Sequence, residues 1–261
     1  MTPLRFAAIG LDHSHIWGQV ELLRRAGAEL AAFHADEHGL AEPFADRYPG
    51  ARRVDARRIL EDDGIALVVS AAIPCERAPL GIAAMRHGKD FMVDKPGMTS
   101  LAQLAEVRQV QRETGRIYSI WPDAEIVAAT VANRANPETP ELQDFGEILL
   151  RAGDATGYIR VDWFTPDGLP TWGDGRLVIL GTDGYIELRK YLDPSGQPGA
   201  DHLILVDRDG VHRIDCSGVE LPYGRQLVYD IRERTETAMP QARCFHAMEI
   251  ALKAQALAER S

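Results

Sequence analysis

The chain has 261 residues, 45% apolar and 26% charged, and its 39 acidic against 29 basic side chains give a formal net charge of −10. That balance suits one large globular domain or two medium ones and excludes disordered, collagenous and coiled-coil chains; its acidic surface repels phosphate backbones, so no nucleic-acid partner is expected. Cys75, Cys216 and Cys244 form no CxxC pair, the opening is too soon interrupted for a signal peptide, and the longest apolar run, Ile65 to Ile73, is strand-sized; a soluble cytoplasmic protein with no membrane partner is expected.

Strand and helix patterns alternate up to residue 120. Arg5–Ile9 reads as a buried strand that stops at Gly10, and a helix from Ser14 to Ala26 follows, closed by Gly27. Glu29–Phe33 predicts a second strand and Leu40–Tyr48 a helix. Ala66–Ala71 is a continuous apolar strand of the kind covered on both faces. Ala78–His87 is helical, Asp90–Val93 is a strand, and Thr99-Ser100 caps a helix that starts at Leu101 and ends at Gly115. Ile117–Ile120 closes the series. Repeated βα units imply an α/β Rossmann domain with a doubly wound parallel sheet over residues 1–122.

After Trp121-Pro122 the pattern changes. Strands are predicted at Glu125–Asn133, Glu147–Ala152, Gly157–Phe164, Arg176–Leu180, Gly184–Tyr191, His202–Asp207 and Gly210–Asp215, with Asp183-Gly184 and Asp209-Gly210 as hairpin turns. Helices near Gln226–Thr235 and Pro240–Arg260 finish an α+β domain, residues 123–261, with a largely antiparallel open sheet.

Ligands of a doubly wound sheet sit at the carboxyl ends of its strands. The first such turn reads Gly10-Leu11-Asp12-His13-Ser14-His15. A dinucleotide fingerprint places glycine at 10, 12 and 15, and only Gly10 satisfies it. A plain turn whose Asp12 or Ser14 caps the helix stays open beside that reading. His13 and His15 also permit a metal site of the His-x-His hydrolase kind, but that fold needs eight βα units and further ligands, and the remaining histidines do not supply them on a matching series; no metal is expected. Asp36, after the second strand, is placed to hold ribose hydroxyls, with an exposed turn charge as the alternative.

A sharper signal is Gly88-Lys89-Asp90-Phe91-Met92-Val93-Asp94-Lys95-Pro96, in which Asp94-Lys95-Pro96 ends a short strand. Proline there permits a cis peptide beside the site. The segment resembles the Glu-Lys-Pro signature of the glucose–fructose oxidoreductase, inositol dehydrogenase and rhizopine catabolism (Gfo/Idh/MocA) family, with Asp94 in place of Glu. Ser70-Ala71-Ala72-Ile73-Pro74 is similar to that family's strand-end segment, and Leu180-Gly181-Thr182-Asp183-Gly184-Tyr185-Ile186-Glu187-Leu188 to its G-T-x-G-x-x-E hairpin. The resemblance implies hydride transfer between NAD or NADP and a sugar, polyol or related carbonyl compound. It implies cofactor contacts from Gly10, Asp12, His13, Ser14, His15, Asp36, Ala72, Ile73, Pro74, Lys95 and Pro96. Lys95 and Asp94 become the catalytic candidates, with Lys95 polarising the substrate oxygen. A homodimer or homotetramer through the second domain's sheet is also implied.

One departure matters. Family members carry a Gly-Gly-x-x-x-Asp-x-x-x-His-type segment with an acid/base histidine, whereas here Ile120-Trp121-Pro122-Asp123-Ala124 runs directly into the strand at Glu125. The chain is either a shortened homologue or internally truncated, and a non-catalytic NAD-binding or scaffold role is the rival reading. His246, on the last helix, is a geometric candidate for the missing group. Asp162, Trp163, Trp172, Asp174 and Arg176 lie in one aromatic, acidic stretch that suits a polyhydroxy ligand or, equally, a loop packed at an interface.

Overall fold

The computed structural model describes residues 2–119 and 125–260. The end of the strand expected at Ile117–Ile120 and the junction at 121–124 lie outside the described residues. In chain order the elements are β1 (Arg5–Ile9), α1 (His15–Arg25), β2 (Glu29–His34), α2 (His38–Arg47), β3 (Arg52–Arg53), α3 (Ala56–Glu61), β4 (Leu67–Ser70), α4 (Pro74–Arg86), β5 (Asp90–Val93), α5 (Leu101–Thr114) and β6 (Tyr118–Ser119). There follow β7 (Glu125–Ala132), β8 (Phe145–Ala152), β9 (Ala155–Asp162), β10 (Gly175–Leu180), β11 (Tyr185–Lys190), β12 (His202–Asp207), β13 (Gly210–Ile214), α6 (Tyr223–Glu233) and α7 (Gln241–Ala258). No helix among the described residues is long and apolar enough to cross a membrane.

The first six strands form one parallel sheet in the order β3-β2-β1-β4-β5-β6. Successive side chains of a strand point to opposite faces, so an apolar run requires cover on both. That cover exists: Phe6 and Ala8 pack with Ile16, Val20, Leu23 and Phe44 on one side. Ala7 and Ile9 pack with Val68, Ile82, Met85 and Phe91 on the other. The α5 boundaries follow the sequence: Ser100 Oγ accepts the Gln103 N–H at 3.1 Å, and Gly115 closes the helix at φ +63°. The strand order reverses between β1 and β4, which opens a crevice at their carboxyl ends.

Contacts divide the chain into two compact units, one of residues 1–131, 147–159 and 222–261, the other of 132–146 and 160–221. This is not a single cut near residue 122, because the last two helices return to the first unit. Gly224 of α6 abuts Leu22 of α1, and Gln241 at the start of α7 accepts the Tyr118 N–H through Oε1 at 2.7 Å. Arg234, just past α6, grips the buried Asp90 carboxylate with two hydrogen bonds of 2.8 and 2.9 Å.

Past the junction, β7, β8 and β9 form a three-stranded sheet, and in the second unit β10 to β13 form a four-stranded antiparallel sheet in chain order. Both expected turns shift by a residue: Thr182-Asp183 form the first reversal, with the Gly181 N–H donating to the Gly184 carbonyl at 2.9 Å, and Arg208-Asp209 form the second, with Gly210 opening β13. The Asp207 carboxylate accepts the N–H groups of Asp209 (2.9 Å) and Gly210 (3.2 Å), which starts the turn early.

Gly81 of α4 tests the packing between helix and sheet. A Cβ there would lie 2.5 Å from the Tyr118 ring and 2.6 Å from that of Phe91. Gly81→Ala should therefore destabilise the chain by about 1–3 kcal/mol despite alanine's better helix propensity. An unchanged or higher urea midpoint would contradict the packing described.

Candidate functional site

The crevice begins at Gly10, whose φ of +76° suits glycine and whose Cβ, if present, would lie 2.5 Å from that of Ala72. Two backbone hydrogen bonds hold the turn to the end of β4. The Ala71 N–H donates to the Gly10 carbonyl at 3.0 Å, and the His13 N–H donates to the Ala71 carbonyl at 3.1 Å. Ser14 occupies the N-cap position of α1 but makes no side-chain cap. Instead the His15 N–H donates to His13 Nδ1 at 3.2 Å. Of the two caps left open by the sequence, Asp12 or Ser14, the Ser14 one is not made; an imidazole accepts here, and Ser14 stays exposed.

Asp94, at the end of β5, is buried under this turn. Its Oδ1 lies 2.8 Å from His15 Nδ1, and its Oδ2 accepts from Arg77 Nη2 at 3.2 Å. Arg77, in the first turns of α4, is itself buried; its Nε donates to the Ala72 carbonyl at 2.6 Å and its Nη1 to the carbonyls of Lys95 (2.5 Å) and Pro96 (3.1 Å). The Lys95–Pro96 peptide is cis, and the Lys95 side chain is exposed. Tyr118 steadies the next residue by donating its hydroxyl hydrogen to the Gly97 carbonyl at 2.6 Å. Lys89, the other lysine of the motif, caps the carbonyls of Asp62 and Ile65 and takes no part in the crevice.

Burial pushes the Asp94 carboxyl upward, but the His15 hydrogen bond and the charges of His15 and Arg77 outweigh it and hold the group below the usual carboxylate range. For His13 burial comes first and His15 second; both lower its pKa, against the opposing pull of Asp94. Among the described residues, His13, His15 and Asp94 are the group whose nitrogen and oxygen atoms, all within 4.8 Å, have the composition of a metal site. A dication there would share its carboxylate with a buried guanidinium, and His13 Nδ1 already accepts a hydrogen bond. The sheet is open and six-stranded, so the closed barrel required by a His-x-His hydrolase is not formed.

Ala72 is buried against Gly10, whereas Ile73 and Pro74 are exposed where α4 begins. Asp36 stands almost fully exposed beyond β2, with His34 Nε2 3.2 Å from its Oδ1. Arg53 reaches the same strand end, donating to the Ala35 carbonyl at 3.0 Å. Asp12 is exposed beside His13. In the second unit Trp163 and Trp172 meet edge to face at 5.8 Å, Asp174 pairs with Arg176, and Asp162 accepts from Arg160 at 2.7 Å. His246 lines a surface depression with Arg108, Arg112, Gln241 and Arg243, which shares no residue with the crevice. Sequence reasoning missed Arg77. The available signal was an arginine in the first turn of the helix that follows a buried strand, with only Glu76 as a nearby acidic residue in sequence.

No family model matches the sequence, and no curated protein does. Among solved structures, a candidate oxidoreductase from Erwinia carotovora atroseptica is 33% identical, with 98% of each chain covered and a TM-score of 0.93. A candidate oxidoreductase from Thermotoga maritima is 14% identical over 98% of each chain, TM-score 0.79. KijD10, a 3-ketoreductase from Actinomadura kijaniata solved with NADP and TDP-benzene, is 14% identical over 98% of this chain and 97% of its own, TM-score 0.75. The class defined by this fold is a Rossmann-domain protein with an appended antiparallel sheet, its crevice at the β1/β4 switch. Within that class the chain belongs to the same family as the Erwinia protein.

Removing one partner of a buried ion pair is costly, and Arg77→Met is expected to destabilise the chain by about 3–5 kcal/mol at neutral pH. Because folding lowers the Asp94 pKa, its stabilisation is present above the unfolded value near 3.9 and is lost as pH falls through the lower folded value. The difference between Arg77→Met and the parent in urea unfolding should therefore shrink below about pH 4. A difference that stays constant from pH 7 to pH 3 would contradict this account.

Proposed function

We propose that the chain is an NAD(P)-dependent oxidoreductase of the glucose–fructose oxidoreductase, inositol dehydrogenase and rhizopine catabolism type, acting on a sugar, polyol or related carbonyl compound. The observation that carries this reading is the convergence of three segments at the β1/β4 crevice: the Gly10 turn, the Ala72–Pro74 strand end, and Asp94-Lys95-Pro96 held by Arg77. Family membership with a candidate oxidoreductase supports it, as does the fold shared with a ketoreductase that binds NADP.

The residues fit a dinucleotide. The N-terminus of α1 keeps its Ser14 hydroxyl unspent for a pyrophosphate, and the carboxyl end of β2 presents Asp36 and Arg53 at the ribose position. When bound, the nicotinamide supplies or accepts the hydride. Lys95 places an exposed ammonium beside the same crevice, where it polarises the substrate oxygen. In titrations followed by nicotinamide fluorescence, NADH or NADPH should bind with a micromolar Kd that weakens at least about tenfold in Lys95→Ala, a loss of about 1.4 kcal/mol. No binding of either nucleotide would overturn the reading.

The same reading includes self-association through the four-stranded sheet. Residues directly opposite in antiparallel strands share a face. One face carries the rows Leu177, Leu188, Leu203, Ile214 and Ile179, Ile186, Leu205, with His212 ending the second; the other joins an apolar row of Leu180, Tyr185, Val206 and Val211 to rows that mix Arg176, Glu187, Arg189, His202 and Arg213 with Val178 and Ile204. An aliphatic face of this kind, with Leu177 and Ile179 about half exposed, suits a second copy of the chain. Sedimentation should give a dimer or tetramer, and Ile179→Glu should shift it toward monomer while leaving the far-UV spectrum intact. A monomeric parent chain would refute the association.

A further inference from the structure

The oxidoreductase reading leaves a proton unaccounted for. Hydride arriving at a carbonyl carbon breaks the C=O π bond, and the displaced electron pair on oxygen requires a proton. We propose that His15 gives and takes this proton through Nε2, and that Asp94 is its positioning residue; the inference rests on the oxidoreductase reading above.

The argument is one of tautomers. The ionised Asp94 carboxylate only accepts, so the 2.8 Å contact with His15 Nδ1 requires the proton on Nδ1. In the neutral ring Nε2, at the other side of the half-exposed imidazole, keeps its lone pair, and it faces away from the carboxylate. The neighbouring imidazole has the opposite arrangement. The His15 N–H donates to His13 Nδ1, which must therefore be unprotonated, with the His13 proton on Nε2. At 3.7 Å from Asp94 Oδ2, His13 Nδ1 is also too far away to compete for the carboxylate. Two adjacent imidazoles, rings 4.2 Å apart and edge to face, are thereby given different roles. His13 presents a fixed donor, and burial together with His15 lowers its affinity for a second proton. His15 keeps a counter-ion and an open nitrogen, the arrangement in which a histidine acts as general acid and base.

What makes the pair rigid lies beneath it. Arg77 has donors committed to Ala72, Lys95, Pro96 and Asp94, so the carboxylate cannot swing away from His15 without breaking a buried ion pair. Asp94 touches His15 directly, the His13 ring packs edge to face against it, and Arg77 from α4 holds the other oxygen of the same carboxylate. Asp94 is the carboxylate in contact with the ring, and it stabilises the imidazolium. In the reducing direction His15 Nε2–H passes its proton to the nascent alkoxide, forming the O–H bond, and solvent restores it. In oxidation the neutral Nε2 removes the hydroxyl proton as hydride leaves the carbon.

The test has one readout that needs neither cofactor nor substrate. Imidazole 15N shifts of the full chain should show His15 as the Nδ1–H tautomer and His13 as the Nε2–H tautomer, with His15 losing that preference in Asp94→Asn. An Nε2–H tautomer for His15 in the parent chain overturns the pairing whatever the cofactor does. The second arm uses NADPH with 9,10-phenanthrenequinone, glyceraldehyde and small aldoses as carbonyl probes. His15→Ala should bind NADPH within about threefold of the parent yet oxidise it about 10²–10⁴-fold more slowly, with partial rescue by added imidazole. If NADPH affinity falls and the rate at saturation does not, His15 is a cofactor ligand and the proposal fails. Stoichiometric Zn²⁺ uptake abolished by His13→Asn and His15→Asn would replace it with a metal site. A parent chain that binds NADPH or NADH but reduces no probe with it also overturns the proposal, whereas one that binds neither nucleotide, with the tautomers as described, shows that the oxidoreductase reading itself has failed.

Discussion

The buried Arg77–Asp94 pair is the contact on which the crevice depends. Strand ends in a parallel sheet leave carbonyls without ladder partners, and buried carbonyls must find donors. Arg77 supplies them for Ala72 at the end of β4 and for Lys95 and Pro96 beyond β5, while its charge is balanced by Asp94 between them. A lysine could not substitute, since only the planar fork of guanidinium reaches four acceptors in fixed directions. The pair costs desolvation, and its return is geometric: the cis Lys95–Pro96 segment, the Asp94 carboxylate and the Ala72 turn are held in one arrangement, with Lys95 left exposed at its rim.

A second constraint comes from the end of the chain. Asp90 begins β5 fully buried, accepting from Arg234 and from the Ile117 N–H, and Gln241 satisfies the Tyr118 N–H on the neighbouring strand. Phe245 and Met248 of α7 enter the same core layer as Phe91 and Tyr118. The sheet that presents Asp94 and Lys95 is therefore completed by residues more than a hundred positions later, which is why the first compact unit is discontinuous in sequence.

Much of this was legible beforehand. Arg5–Ile9, Asp90–Val93 and His202–Asp207 begin and end where apolar alternation and turn residues place them, because those strands are bounded by glycine, proline or charge at both ends. The two-residue β3 and the short α3 were not legible; Arg52–Arg53 has no apolar signature, and β3 forms only because β2 offers it an edge. Helix starts drifted by up to four residues: α4 begins at Pro74, where proline is tolerated because a first-turn N–H has no intrahelical partner. Both hairpins of this sheet were recognisable from composition, but the one-residue shifts to Thr182-Asp183 and Arg208-Asp209 depend on backbone and carboxylate contacts that only the folded chain makes.

For the site the division is sharper. Residue types marked the Gly10 turn, His13 and His15, since glycine after a buried strand is a local signal, while Asp94-Lys95-Pro96 stood out through the resemblance of its longer segment, Gly88 to Pro96, to a family signature. What only the tertiary structure decided is which of these groups touch. The turn at 13–15 and positions 77 and 94 are far apart along the chain and come together because the parallel sheet brings the carboxyl ends of β1, β4 and β5 to one edge. Hydrogen-bond direction is a property of that edge and of no single residue. Two histidines that look equivalent in the sequence differ there because one receives a backbone N–H and the other donates to a buried carboxylate.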